Sequence, residues 1–274
     1  MNQDQVKELL LSIEDAPLEF QVIFSGKKSA KVNGLYKPDT REIIIHNRNF
    51  KSDGRQDDNL LLYTAIHEYA HHLHACSRGG KLSARSHTTE FWAIFHALLE
   101  KAEAKDLYRN VFADSPELEK LTEKIRGKYL AENGKLLKEL GEQLLKAHEL
   151  CGVIGARFED YVDRILRIPR VAANMAIKMF QYDLDPQVGP DNMRFLAGIR
   201  SEDDRVAAEK ALVGGKSPDM VKTAIKGGVP VLPAKPLREG DVKARLEKEK
   251  IRLERTIANL SRRLDEIERE LEEL

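Results

Sequence analysis

His67, Glu68 and His71 are the residues from which chemistry can first be argued. They stand in the segment His67-Glu68-Tyr69-Ala70-His71, with two imidazoles four residues apart. On an α-helix that spacing puts both rings on one face, where together they can grip a single cation. The carboxylate directly after the first histidine then lies beside the cation and not on it. From there it can take a proton from water, which makes Glu68 the expected general base. Zinc suits such donors, and a catalytic zinc keeps three protein ligands and one open position.

The third ligand is sought in Ser86-His87-Thr88-Thr89-Glu90-Phe91-Trp92. His87 and Glu90 are three residues apart at the start of a helix and point the same way, so geometry alone does not choose between them. A glutamate there would make a thermolysin-like site, but the companion carboxylate of that arrangement, four residues later, is Ile94 here. His87 follows His71 by sixteen residues, across a short loop, and is the preferred ligand. His72, His74 and His96 remain as packing or surface histidines. His74 shares a face with His71, yet one straight helix does not usually supply three ligands.

The elements that must position these groups can be read from periodicity. Asn59 to Ala75 is apolar at helical spacing and holds the histidine pair, with Leu61, Leu62, Ala65, Ile66 and Ala70 around it. Arg78-Gly79-Gly80 ends it. A second helix runs from His87 to Ala104, its apolar face made of Phe91, Ile94, Phe95 and Leu98. Upstream, Met1 to Ile13 reads as an amphipathic helix. Leu18 to Phe24, Lys31 to Tyr36 and Glu42 to His46 read as strands of a small antiparallel sheet, the last two joined by the turn Lys37-Pro38-Asp39-Thr40.

With those elements in place, the sequence resembles the SprT/Spartan family of zinc metallopeptidases. The resemblance rests on His-Glu-Tyr-Ala-His-His-Leu-His from His67, then a loop, then His-Thr-Thr-Glu-Phe-Trp from His87. It covers roughly Leu18 to Lys105, including the hairpin Lys31 to His46. It implies an α+β zincin-like domain with His67, His71 and His87 as zinc ligands, Glu68 as base, and a supporting role for Glu90. Thr88 stands where that family often has glycine, and the zinc ribbon that often follows in the family is absent, since the chain has only Cys76 and Cys151.

Beyond Pro116 the sequence turns charged and helical. Glu117 to Leu130 and Lys135 to Leu150 read as two helices hinged at Asn133-Gly134. Phe158 to Leu166, the turn Arg167-Ile168-Pro169, and Arg170 to Tyr182 form a helix-turn-helix pattern, with Ala172, Met175 and Met179 expected to face the core. Arg170, Asn174 and Lys178 recur every four residues as a polar stripe, as a helix entering a major groove would present. The run Phe158-Glu-Asp-Tyr-Val…Ile168-Pro-Arg-Val-Ala-Ala-Asn resembles the ParB/KorB-type helix-turn-helix module, although that family often has serine and threonine where Pro169 and Ala172 stand. The resemblance implies DNA as a partner, with Arg167, Arg170, Asn174 and Lys178 as contacts. Shorter helices follow at Asp191 to Ile199, Glu202 to Val213 and Pro218 to Lys226. Pro230, Pro233 and Pro236 mark a linker. From Asp241 onward Leu246, Leu253, Leu260, Ile267 and Leu274 keep a seven-residue beat, the pattern of a coiled coil and of a possible homodimer.

Whole-chain composition constrains less. Lys and Arg number 45, as do Asp and Glu, so no global field points to nucleic acid or membrane. No apolar signal segment opens the chain and no stretch nears the roughly 20 apolar residues that span a bilayer. Two distant cysteines fit a reducing, cytoplasmic setting. The expected architecture is mainly α: a metallopeptidase domain over 1–115, a helical connector over 116–152, a helix-turn-helix domain over 153–228, a linker over 229–240 and a coiled coil over 241–274. The expected function is zinc-dependent hydrolysis of protein substrates, directed to DNA-bound or DNA-crosslinked proteins. The rivals are a regulatory protease that cleaves a repressor or partner, and a scaffold protease whose helical adaptor binds no DNA.

Overall fold

The computed structural model of the chain describes residues 1–52, 55–79 and 86–227. Helix α1 (Gln3–Ile13) begins at Asn2, whose side chain accepts from the Gln5 N–H while the Gln5 side chain accepts from the Asn2 N–H. This reciprocal cap satisfies two of the N–H groups that a helix start leaves open. Val6, Leu10, Leu11 and Ile13 form its buried face.

Three strands follow, β1 (Gln21–Phe24), β2 (Gly34–Lys37) and β3 (Glu42–Ile45). The short turn between β2 and β3 makes them antiparallel, with Leu35 opposite Ile44. Strand β1 lies on the other side of β3 and runs parallel to it, Gln21 opposite Glu42 and Phe24 opposite Ile45. The sheet is therefore mixed, in the order β1-β3-β2, and not the antiparallel sheet expected from the sequence. A tight turn fixes the pairing of the strands it joins. The longer Ser25 to Asn33 connection leaves β1 free to pair elsewhere. The most apolar strand, with Ile43 and Ile45 fully buried, takes the centre.

Helix α2 (Asp58–Ser77) is capped by Asp57, which accepts from the Leu60 N–H at 2.9 Å. It ends at Arg78, followed by Gly79 with φ +65°. Helix α3 (Thr89–Glu103) is capped by Thr88. Helices α1, α2 and α3 and the sheet share one apolar core, in which Leu10, Ile43, Leu61, Ile66, Tyr69, Phe91 and Phe95 are central. Tyr69 satisfies its hydroxyl by donating to the Glu14 carbonyl at 2.7 Å.

The second region is helical throughout its described residues. Helix α4 (Pro116–Lys124) passes through a π-helical turn, Ile125–Ala131, into α5 (Glu132–Val153) without interruption. The hinge expected at Asn133-Gly134 is thus absent: Gly134 is buried inside α5, against Pro186. Packing there outweighs a helix-propensity cost of about 1 kcal/mol for glycine. Helix α6 (Phe158–Asp160) continues as the π-helical turn Tyr161–Leu166, and Arg167 then takes a left-handed conformation with φ 56° before α7 (Arg170–Gln181). Helices α8 (Pro190–Ala197), α9 (Glu202–Val213) and α10 (Pro218–Ile225) complete the region.

Helix α5 is a wall of this region's core and not merely a connector. Its Leu144 and Cys151 pack with Phe158, Val162, Ala173 and Ala176. Gly141 allows α5 and α7 to touch backbone to backbone, since a Cβ there would sit 2.0 Å from the Ala176 carbonyl oxygen. The buried positions of α7 are Ala173, Ala176 and Met179, whereas Ala172 is exposed and Met175 only half-buried. The expectation for Ala172 is corrected by one residue, because α7 is rotated so that its narrow alanine face meets Gly141. Helix α10 returns to pack along α3. The linker of 229–240 and the heptad segment of 241–274 lie outside the described residues. Among the described residues no helix is long and apolar enough to cross a membrane.

Candidate metal centre

Helix α2 carries His67 and His71 one turn apart on the side that faces the start of α3. His87 reaches the same point from outside α3: Thr88 is the cap, its Oγ1 accepting from the Phe91 N–H at 3.3 Å, so His87 precedes the helix that it was expected to open. His67 Nε2 and His87 Nε2 are 3.1 Å apart. One ring nitrogen from each of His67, His71 and His87 lies within 4.8 Å of the others. Ligands of a tetrahedral zinc at about 2.0–2.1 Å are separated from each other by about 3.4 Å, so the trio has the scale of a single ion's coordination sphere.

The protonation of these rings suits the same purpose. Burial, with His87 adjacent, lowers the His67 pKa to about 4. Burial, followed by His67, His87 and His74, lowers that of His71 to about 3. Both imidazoles are neutral near pH 7 and have lone pairs to give. Phe91 stacks on the His71 ring at 4.2 Å between centroids, a flat apolar wall that fixes its plane.

Glu68 is 6% exposed and sits where strand β2 crosses α2. The backbone N–H of Tyr36 donates to its carboxylate, and burial, opposed by that bond, raises its pKa to about 7. A group poised near neutrality can both accept and return a proton. Gly34 is the reason the strand comes so close: a Cβ there would lie 2.9 Å from Glu68 Cγ and 3.0 Å from Thr64 Cγ2. The sequence places a strand here, over Lys31 to Tyr36, but not its contact with Glu68. A glycine two residues ahead of an aromatic, opening a strand, is the only trace of that contact.

Glu90 is directed elsewhere. Its carboxylate receives Arg78 at 2.7 Å and the Thr88 hydroxyl at 3.3 Å, and it lies 3.8 Å from His74 Nε2. Of the two candidates for third ligand, His87 joins the pair on α2 and Glu90 does not. His74 is buried on the same face one turn beyond His71, against Thr88, and is not part of the trio. His72, fully buried, donates from Nε2 to the Leu18 carbonyl at 3.1 Å and accepts at Nδ1 from the Tyr36 hydroxyl at 3.0 Å. His96 meets Ser217 Oγ through Nδ1 at 2.8 Å.

In the second region, Arg167, Arg170, Asn174 and Lys178 are all exposed. Arg170 is already engaged: its guanidinium pairs with Asp163 on the preceding turn. Arg167 sits at the left-handed turn before α7. The stripe is therefore present as a surface, with one of its two cations neutralised locally.

No protein-family model, curated protein or solved structure matches this chain.

Proposed function

We propose that this chain is a zinc-dependent metallopeptidase of the SprT/Spartan type, acting on protein substrates. The observation that carries the reading is the convergence of His67, His71 and His87 beside the buried carboxyl of Glu68. The three rings are the ligands, and their neutral, desolvated state fits a divalent cation that prefers nitrogen donors. When bound, zinc supplies Lewis-acid polarisation of a carbonyl and acidifies water toward a pKa of about 7. Glu68 takes a proton from the attacking water and returns it to the leaving amine. The Tyr36 N–H holds its carboxylate in place for both transfers. Phe91 keeps water from the far side of His71.

We further propose that the second region directs this activity to DNA-bound proteins in a reducing cytoplasm, through the exposed stripe of α7. Asn174 and Lys178 are free to face a groove, with Arg167 flanking them. Tethering would raise the local concentration of DNA-bound substrate near the metal.

The test is direct. Purified protein should carry about one zinc per chain and cleave an unstructured protein. Glu68→Gln should lower cleavage by about 10³-fold, within the range for a general base, while zinc content stays unchanged. A Glu68→Gln variant that cleaves at the native rate removes the peptidase reading.

A further inference from the structure

Of the three ligands, His87 is the one no helix holds. It is exposed and lies just before the Thr88 cap, whereas His67 and His71 are fixed by the rigid repeat of α2. Its ring meets Ser86 Oγ through Nδ1 at 3.3 Å and Phe91 edge-on at 4.7 Å, and one further aromatic lies flat against it. Trp92, one turn into α3, stacks on His87 with centroids 5.5 Å apart and planes at 26°. Beyond Trp92, in the next turn, His96 stacks on the indole at 5.9 Å and 30°. Both separations fall within the roughly 4.5–7 Å range of offset-stacked rings.

The stack ends on a residue of the second region. His96 Nδ1 meets the hydroxyl of Ser217, the cap of α10, at 2.8 Å. The neighbouring Lys216 forms an ion pair with Glu100, one turn further along α3. A single column therefore leads from α10 through His96 and Trp92 to His87, with side chains in contact at every step. Trp92 and His96 are each half-buried; Trp92 also packs on the core through Phe91 and Phe95, which anchors the column to α3.

We propose that Trp92 and His96 are positioning residues that brace the third ligand against the second region, so that seating of α10 on α3 sets how firmly the centre holds its metal. This rests on the metallopeptidase reading for the identity of the ion and extends it from the site to the helical region behind it. The brace acts through orientation: a ring held in its ligating pose loses less freedom when it binds. Groups that orient a metal's ligands typically contribute 10- to 100-fold in affinity.

The chain has one tryptophan, so its emission reports on this column directly. Full-length protein stripped with chelator is titrated with Zn2+ while emission is followed, and affinities are obtained in parallel by competition with a chromophoric chelator. Zinc should change the emission of the native protein, and His71→Ala should abolish that change. His96→Ala, which cuts the column but keeps the reporter, should weaken zinc binding by about threefold and alter the metal-free emission. Trp92→Leu should weaken it by about tenfold by competition, with Trp92→Phe recovering most of the loss. Circular dichroism checks that each variant is folded, and the Co2+ absorption spectrum of Trp92→Leu should lose intensity if His87 is no longer held. If zinc binds the native protein with His71-dependent affinity but His96→Ala and Trp92→Leu titrate as the native chain does, the brace is wrong and the metal site stands. If zinc does not bind in a His71-dependent way, the metallopeptidase reading itself falls.

Discussion

Helices α2 and α7 carry the side chains on which the two halves of the proposed function rest, and they treat polarity in opposite ways. Helix α2 buries Thr64, Glu68, His71, His72 and His74, each at 8% exposure or less. The Nδ1 atoms of His71 and His74 have no hydrogen-bond partner there. An unpartnered buried polar group costs about 1–3 kcal/mol, a cost that packing alone gives no reason to accept. Helix α7 keeps Arg170, Asn174 and Lys178 in solvent, where a charged face costs little and is the ordinary outcome for a surface helix. Buried polarity without partners is compatible with a site at His71, and His74 shares it outside the trio. An exposed polar stripe is compatible with one and does not demand it.

The contrast is broken most sharply at the third ligand. His87→Ala should leave the chain without stoichiometric zinc by metal analysis, whereas Glu90→Ala should retain nearly all of it, because Glu90 is bonded to Arg78 and Thr88. The reverse pattern would move the ligand to the carboxylate and undo the geometry of the trio.

The next effect is on packing in the second region. Gly141→Ala drives a methyl into the Ala176 carbonyl and should destabilise the protein by about 3 kcal/mol in denaturant unfolding. Gly152→Ala, in the same helix with nothing within 4 Å, should be neutral or stabilising by up to about 1 kcal/mol. Equal effects at the two positions would mean that α5 and α7 do not meet as described.

Replacing the buried carboxyl separates function from stability. In metal-free protein, Glu68→Leu removes an acid desolvated at neutral pH but leaves the Tyr36 N–H without its acceptor, so stability should change by no more than about 1 kcal/mol. Lys178→Leu, on the exposed face of α7, should stay within about 0.5 kcal/mol of the native chain. A Glu68→Leu variant destabilised well beyond that would show the carboxyl to be structural.

Acid sharpens the same point. His67 and His71 titrate at about 4 and 3 in the folded chain, against 6.5 for an unperturbed histidine. Below pH 6.5 the unfolded chain therefore binds protons first. The stability these rings contribute is complete above pH 6.5 and is lost as pH falls toward 4. Glu68 works the other way: with its folded pKa near 7 against 4.5, it gains stability as pH falls through that window. Two histidines outweigh one carboxyl, so metal-free protein should lose stability between pH 6.5 and 4.5, by less than two histidines alone would give. His67→Leu should flatten the profile. A native profile that rises through that interval would mean that these rings are not desolvated.

The smallest effect concerns DNA. Lys178→Glu should lower the salt slope of binding to duplex DNA by about 1, as for one lost phosphate contact. Arg170→Glu should change it less, because Asp163 already neutralises that guanidinium. If duplex binding is absent at low salt, the helical region serves another partner and the regulatory-protease alternative gains.

Much of this arrangement could be read in the residues alone. The four-residue spacing of His67 and His71 requires a helix to have meaning, and the apolar positions around it supplied one. His87 was reachable because its type and distance suited a third ligand. What remained hidden depends on long-range pairing. Nothing local in Gln21–Phe24 says that it runs parallel to Glu42–Ile45, because alternation fixes a strand's faces and not its neighbour. Asn133-Gly134 has the composition of a hinge, and only Pro186 packed against it explains why the helix continues. The rotation of α7 that exposes Ala172 and buries Ala173 follows from Gly141, which lies on another helix. The N–H of Tyr36 that steadies Glu68 is a backbone group and leaves no mark in side-chain chemistry.

If the trio takes up zinc as proposed, His72 bears on how the ion would reach it. The unfolded chain offers four imidazoles within eight residues, His67, His71, His72 and His74, a strong and indiscriminate chelator. Folding withdraws two of them, His72 by bonding both its nitrogens to Leu18 and Tyr36, and His74 by enclosing it against Thr88. Order of addition then matters. Zinc supplied to the folded chain meets one competent set of ligands, while zinc present during refolding can be held by pairs of rings that the native state assigns to other partners. Such chelates must be released before β1 and β2 can close over α2, so excess metal should slow refolding without altering the final fold.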